Sequence, residues 1–158
     1  MSKRNNSMEI LWTCKSFDSL TLVELYEILA LRTEVFVVEQ NCPFQEQDGK
    51  KDFESFHLMG KTSDNQLVAY SRIVPPNLAF VEGSIGRVVG SPKVRGKGIG
   101  KELMEKSIQH FYEKFGTQPI RIGAQYYLKS FYESFGFQKT SDIYLDDDIE
   151  HIEMLKMP

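Results

Sequence analysis

Residues 85–116 read "IGRVVGSPKVRGKGIGKELMEKSIQHFYEKFG" and decide the architecture of the middle of the chain. A β-branched run reaches Gly90, as a buried strand would. Glycine then stands at alternate positions 96, 98 and 100, with Arg95 and Lys97 between. From Ile99, apolar residues recur at Leu103, Met104, Ile108, Phe111 and Phe115 among Lys, Glu and Gln. That spacing predicts an amphipathic helix, closed by Gly116.

A strand, a glycine-rich loop and a helix in that order make an anion site. The first turn of a helix has N–H groups without intrahelical partners, and the helix dipole adds partial positive charge there. Absent Cβ atoms at Gly96, Gly98 and Gly100 let a phosphate approach those groups, and Arg95 and Lys97 add charge-assisted contacts. A P-loop is excluded, because Lys97 is followed by glycine and no hydroxyl is left for magnesium. The dinucleotide fingerprint is excluded as well, since the pattern is G-x-G-x-G after a meander. The plain alternative is a tight strand-to-helix turn, which needs neither three glycines nor two cations.

Outward from this stretch, "MEILWTC" (8–14) reads as a first strand. A helix over 21–40 opens with Thr21 and Glu24 in capping-box spacing, with Leu22, Leu25, Tyr26 and Leu29 as its apolar face. Residues 41–54 read as a polar loop, and strands over 55–62 and 66–74 form a hairpin ended by Pro75 and Pro76. A third strand of the meander covers 80–90. Beyond the long helix come a strand (119–125) and a short helix (128–135) before Gly136. Two last strands (137–145 and 149–157) flank the acidic turn Asp146–Asp148. The order β-α-β-β-β-α-β-α-β-β places the chain in the α/β or α+β class.

The 158 residues suit one domain, read here as 8–158 behind a disordered segment 1–7. Net charge is −3 without a basic stripe, which disfavours nucleic acid as partner. The polar start lacks an apolar signal region and no 18-residue apolar run follows. The expectation is therefore a cytoplasmic protein without a membrane partner, its Cys14 and Cys42 reduced. His57, His110 and His151 lack zinc spacing and the acidic turn lacks EF-hand spacing, so no metal is expected.

With those residues on the page, the chain resembles the GNAT N-acetyltransferase superfamily. "RGKGIG" matches its Q/R-x-x-G-x-G/A signature. Further stretches, among them "LRTEVFVVEQNCPFQEQDGKKD", "AYSRIVPP", "AQYYLKSFYESFGF" and "YLDDDIEHIEM", are similar to its ElaA-like branch. The resemblance implies a central, mostly antiparallel sheet, splayed between its fourth and fifth strands and flanked by helices. It implies acetyl-CoA as co-substrate, with diphosphate on Arg95, Gly96, Lys97, Gly98, Ile99 and Gly100. The pantetheine arm would lie along the strand edge at Val88, Val89 and Gly90. Gly90 departs from the branched apolar residue usual in the family, which leaves open where the strand bulges. Relatives often pair, so a homodimer is one open outcome.

Acetyl transfer needs a neutral amine. At neutral pH an alkylammonium is neutral in about one part in a few thousand, a cost of about 4–5 kcal/mol. A proton acceptor, an oxyanion donor and an acid for the leaving thiolate are therefore required. Tyr132 matches the family's tyrosine acid, and a backbone N–H near Val89 suits the oxyanion. Glu39, just past the first helix, is the candidate base. Glu46, Asp48, Asp52, Glu82, His57 and His151 stay open for that role, and Gln125 or Arg87 would bind the acceptor. The expected acceptor is an amine, small or peptidic, attacking directly in a ternary complex. A cysteine intermediate on Cys42 is the lesser route, and a cationic acceptor drawn by Asp146–Asp148 a weaker expectation. The competing class is a non-catalytic acyl-CoA-binding or sensing module.

Overall fold

The computed structural model describes residues 8–158. The expected disordered segment 1–7 lies outside the described residues. The chain runs β1 (Leu11–Ser16), α1 (Leu22–Arg32), a π-helical stretch (Thr33–Glu39), α2 (Lys51–Glu54), β2 (Phe56–Lys61), β3 (Leu67–Val74) and β4 (Ser84–Gly90). It continues through α3 (Ile99–Phe115), β5 (Ile120–Gln125), α4 (Lys129–Glu133), β6 (Phe137–Lys139), β7 (Tyr144–Asp146) and β8 (Ile149–Lys156).

Two antiparallel sheets result, β1-β2-β3-β4 and β5-β8-β6, with β7 also on β8. They meet at one parallel bridge, Gly83 to Ile120, where β4 and β5 begin side by side. Beyond it β4 and β5 belong to separate sheets. The expected mixed α/β fold, split between its fourth and fifth strands, is what the chain adopts.

β3 is buried from Val68 to Val74 because both faces of its sheet are covered. On one face α3 lays Leu103, Met104 and Phe111 against Leu58, Ile73, Ile85 and Ile120. On the other, Ile28, Leu31 and Val35 meet Met59, Tyr70 and Val89.

That second contact corrects the expected apolar face of α1. Leu22 and Tyr26 are 86% and 77% exposed, while Ile28 is fully buried. The capping box forms as read, with Glu24 accepting from the Thr21 N–H at 2.9 Å. Glu24 also takes the Lys15 ammonium at 2.9 Å. The i, i+3, i+7 set Ile28, Leu31 and Val35 then faces the sheet, leaving the earlier leucine and tyrosine to solvent.

The helix also changes character within 21–40. From Thr33 it widens to π geometry, with the Gln40 N–H on the Val35 carbonyl at 3.1 Å. π segments are frequent at functional sites, and this one borders the cleft described below.

Two further expectations are corrected. The loop 41–54 ends in a helical turn, α2, begun by the Asp48 carboxylate accepting from the N–H groups of Lys50 (3.1 Å) and Lys51 (2.9 Å). The single strand expected over 137–145 is two strands. The Thr140 N–H still donates to the Glu153 carbonyl at 3.0 Å, but the Ser141 hydroxyl, accepting from the Glu153 N–H at 2.8 Å, replaces a backbone acceptor and lets residues 141–143 leave the ladder. Among the described residues no helix is long and apolar enough to cross a membrane.

Candidate active site

The parting of β4 from β5 opens a cleft of about 580 Å³. The Arg121 N–H donates to the Gly83 carbonyl at 3.0 Å and pins the closed end. Beyond it the strands diverge, so the β4 backbone from Gly86 to Gly90 forms one wall and Ile122 to Gln125 the other.

The β4 wall is bent. Tyr70 pairs with Val89 but Arg72 pairs with Gly86, so β4 carries one residue more than β3 across the same interval. Arg87 takes up the excess at φ +50°. A non-glycine residue there is strained by about 1–2 kcal/mol. Its guanidinium holds the geometry, donating to the Glu46 carbonyl at 2.8 Å and lying over the Phe44 ring at 5.8 Å. The bulge therefore sits at Arg87, upstream of Gly90.

The glycine loop closes the open end. Gly96 and Gly98 have φ of +77° and +75°, and a Cβ on either would meet no atom of the described residues within 4 Å. Both residues line the cleft. α3 then starts without a side-chain cap, leaving its first N–H groups for a ligand. Of the residues expected to bind the cofactor, Val88, Val89, Gly90, Arg95, Gly96, Gly98, Ile99 and Gly100 line the cleft. Lys97 is exposed and stands off the wall.

Tyr132 on α4 is buried, its ring edge-on to Phe131 (5.2 Å) and Phe137 (6.0 Å), and it lines the same cleft. Burial, and secondarily Tyr127, pushes its phenol above the ordinary range. The hydroxyl is thus protonated at neutral pH and available as a donor.

The other candidates divide sharply. Glu39 lines the cleft but its carboxylate sits 2.6 Å from Arg95. Gln125 also lines it, exchanging reciprocal amide hydrogen bonds with Gln40 at 3.2 and 3.3 Å. Glu46, Asp48 and Asp52 instead enter an ionic cluster behind the sheet. Arg32 contacts Glu46 (2.6 Å) and Asp52 (2.9 Å), and Arg72 contacts Asp48 (2.8 Å) and Asp52 (3.0 Å). Glu82 is paired with Arg121 at 2.9 Å. His57 is fully engaged, Nδ1 accepting from the Tyr70 hydroxyl (2.6 Å) and Nε2 donating to the Asp52 carbonyl (2.9 Å). Burial lowers its basicity.

His151 is brought to the cleft, opposite Gln125 in the β5–β8 register. So are Asp146, Asp147 and Cys42. The Cys42 thiol lies 3.3 Å from the Asp147 carbonyl, and burial together with Asp147, Asp148 and Asp146 raises its pKa. A thiol kept protonated is a poor nucleophile. Gln40, Phe44 and Tyr127 also line the cleft. Sequence reasoning missed them, because no period or spacing marks them out and only the fold brings them in.

Comparison with known proteins agrees with this geometry. A family model described as an acetyltransferase (GNAT) domain matches residues 30–157. Protein ElaA of Escherichia coli is 38% identical over 146 residues, covering 92% of this chain and 95% of that protein. Its crystal structure superposes with a TM-score of 0.86 over 94% of this chain and 99% of that one. The crystal structure of an acyl-CoA N-acyltransferase from Pseudomonas aeruginosa gives 0.88 at 44% identity, with the same coverage of both chains.

Proposed function

The chain belongs to the GNAT acetyltransferase family, and from that premise we propose that it transfers acetyl from acetyl-CoA to an amine by direct attack in a ternary complex. The family and its fold make it an acyltransferase with an acyl-CoA donor.

In this reading the diphosphate lies against the uncapped first turn of α3 and the amides of Gly96 and Gly98, with Arg95 alongside. The pantetheine arm runs along Val88, Val89 and Gly90, just past the bulge at Arg87. A β4 N–H near Val89 receives the carbonyl oxygen as it gains charge. Tyr132 gives its hydrogen bond to the departing sulfur. Its raised pKa does not disqualify it, because the burial that weakens the phenol as an acid also strengthens the thiolate as a base. Gln40 and Gln125 stand where the acceptor enters. Cys42, kept protonated, is left out of the chemistry.

One observation carries the reading: a buried tyrosine and an uncapped helix N-terminus line the same cleft. The test is calorimetry with acetyl-CoA, joined to thiol release from acetyl-CoA over a panel of primary amines. Heat with coenzyme A and amine-dependent thiol release are expected. Binding without release toward any amine would favour a sensing module instead.

A further inference from the structure

With Glu39 held by Arg95 and His57 engaged at both nitrogens, the cleft still needs a group to take the proton of the incoming ammonium. His151 has the required geometry. Its Nδ1 lies 2.7 Å from the Ile149 carbonyl. A carbonyl can only accept, so Nδ1 carries the hydrogen and the neutral ring presents a bare lone pair on Nε2. The ring is stacked on Tyr144, with centroids 5.9 Å apart and planes 28° from parallel. Tyr144 in turn lies across Gly123, where an added Cβ would come within 3.0 Å of its hydroxyl. Gly123 lines the cleft on β5, and Gln125, opposite His151, flanks the imidazole on the same face.

We infer that His151 Nε2 accepts the proton of the acceptor ammonium, with Tyr144, seated over Gly123, holding the ring in place. This rests on the acetyl-transfer reading above. The protons balance as follows. The ammonium gives one to Nε2, and the free amine nitrogen attacks the thioester carbonyl carbon. When the carbon–sulfur bond breaks, the sulfur takes the Tyr132 proton, and the second proton on nitrogen returns to the phenolate. Imidazolium then releases its proton to solvent. The titratable groups nearby are Tyr144 and Asp146 of β7, Asp147 of the turn, Cys42 of the loop, and Glu150 and Glu153 on β8. Arg87 and Arg95 belong to the opposite wall.

The experiment compares the wild type with His151→Gln, using primary alkylamines on one hand and aniline, neutral at assay pH, on the other. Expected are an unchanged acetyl-CoA dissociation constant, at least a 30-fold slower alkylamine reaction and loss of its acidic limb. The aniline reaction should stay within threefold, and Tyr144→Phe, which keeps the stack, should retain most activity. Equal losses toward both amine classes, or an intact alkylamine rate, overturn the assignment. So does a nitrogen-15 spectrum placing the neutral imidazole's proton on Nε2, a result that needs no acceptor. Failure of the acetyl-transfer reading is distinguishable, since it appears as absent heat with acetyl-CoA in the wild type and removes this inference with it.

Discussion

The Arg95 guanidinium lies 2.6 Å from the Glu39 carboxylate, joining the glycine loop to the end of the π-helical stretch. The same guanidinium reaches the Gly90 carbonyl at 3.4 Å. Both side chains are about half exposed, so the pair contributes no more than about 1 kcal/mol. Its consequence is competition, because Arg95 cannot serve a diphosphate and Glu39 fully at once. Glu39→Gln should tighten coenzyme A binding about two- to fivefold, with turnover within threefold. Arg95→Ala should weaken binding at least tenfold, by removing a charge-assisted contact. Titration calorimetry at two salt concentrations checks both, since the gain from Glu39→Gln should shrink at high salt.

Gly98 precedes α3 at φ +75° with open space where a Cβ would point. Gly98→Ala should cost roughly 1 kcal/mol of stability from backbone strain alone. Gly98→Val should cost little more in a urea melt, because nothing among the described residues crowds the position. Coenzyme A affinity should fall more steeply, by tenfold or more, as the side chain enters the diphosphate space. A parallel decline of stability and affinity would mean that the glycine serves only the turn.

Tyr132→Phe should leave the acetyl-CoA dissociation constant within twofold and lower turnover roughly 10²-fold or more, the usual scale of a positioned acid. The ring stays between Phe131 and Phe137, so the packing is conserved. Single-turnover and binding measurements together separate the two effects. Near-normal turnover would leave Tyr132 a packing residue.

How far the sequence revealed this molecule depended on the range of the interactions. The glycine loop and α3 were legible because their causes are local: positive φ at Gly96 and Gly98, and a period of 3.6 from Ile99. Resemblance to known transferases supplied the split between β4 and β5 and the role proposed for Tyr132. The buried face of α1 was misread, because which apolar stripe faces in depends on what Met59 and Tyr70 offer across the sheet. The pairing of Glu39 with Arg95 joins residues 56 apart, and that of Gln40 with Gln125 residues 85 apart. No pattern within one element encodes such contacts. The division of the seven candidate bases into groups engaged elsewhere and cleft residues was hidden for the same reason.

Acid should unfold the protein through the ionic cluster behind the sheet. Burial alone would raise the Asp48 pKa, but the N–H groups of Lys50 and Lys51 and the charge of Arg72 outweigh it and bring it from 3.8 to about 2. Asp52 is lowered too, by Arg32 and Arg72 against its burial. For such groups the unfolded state binds protons first as pH falls. Their stabilisation is therefore complete above about pH 4 and is lost between roughly pH 4 and pH 2. Allowing for the partial exposure of Asp48, its share is about 1–2 kcal/mol. His57 adds an earlier step, since its lowered pKa keeps it neutral while the unfolded imidazole begins to charge near 6.5. Stability should thus decline in two stages, below about pH 6.5 and again below about pH 4. Asp48→Asn should flatten the second stage. Asp52→Asn should cost about 3–5 kcal/mol at neutral pH, because Arg32 and Arg72 would both lose a buried counter-charge. Urea melts from about pH 2 to pH 8 measure all three, and an unaltered lower stage in Asp48→Asn would place the acid-sensitive group elsewhere.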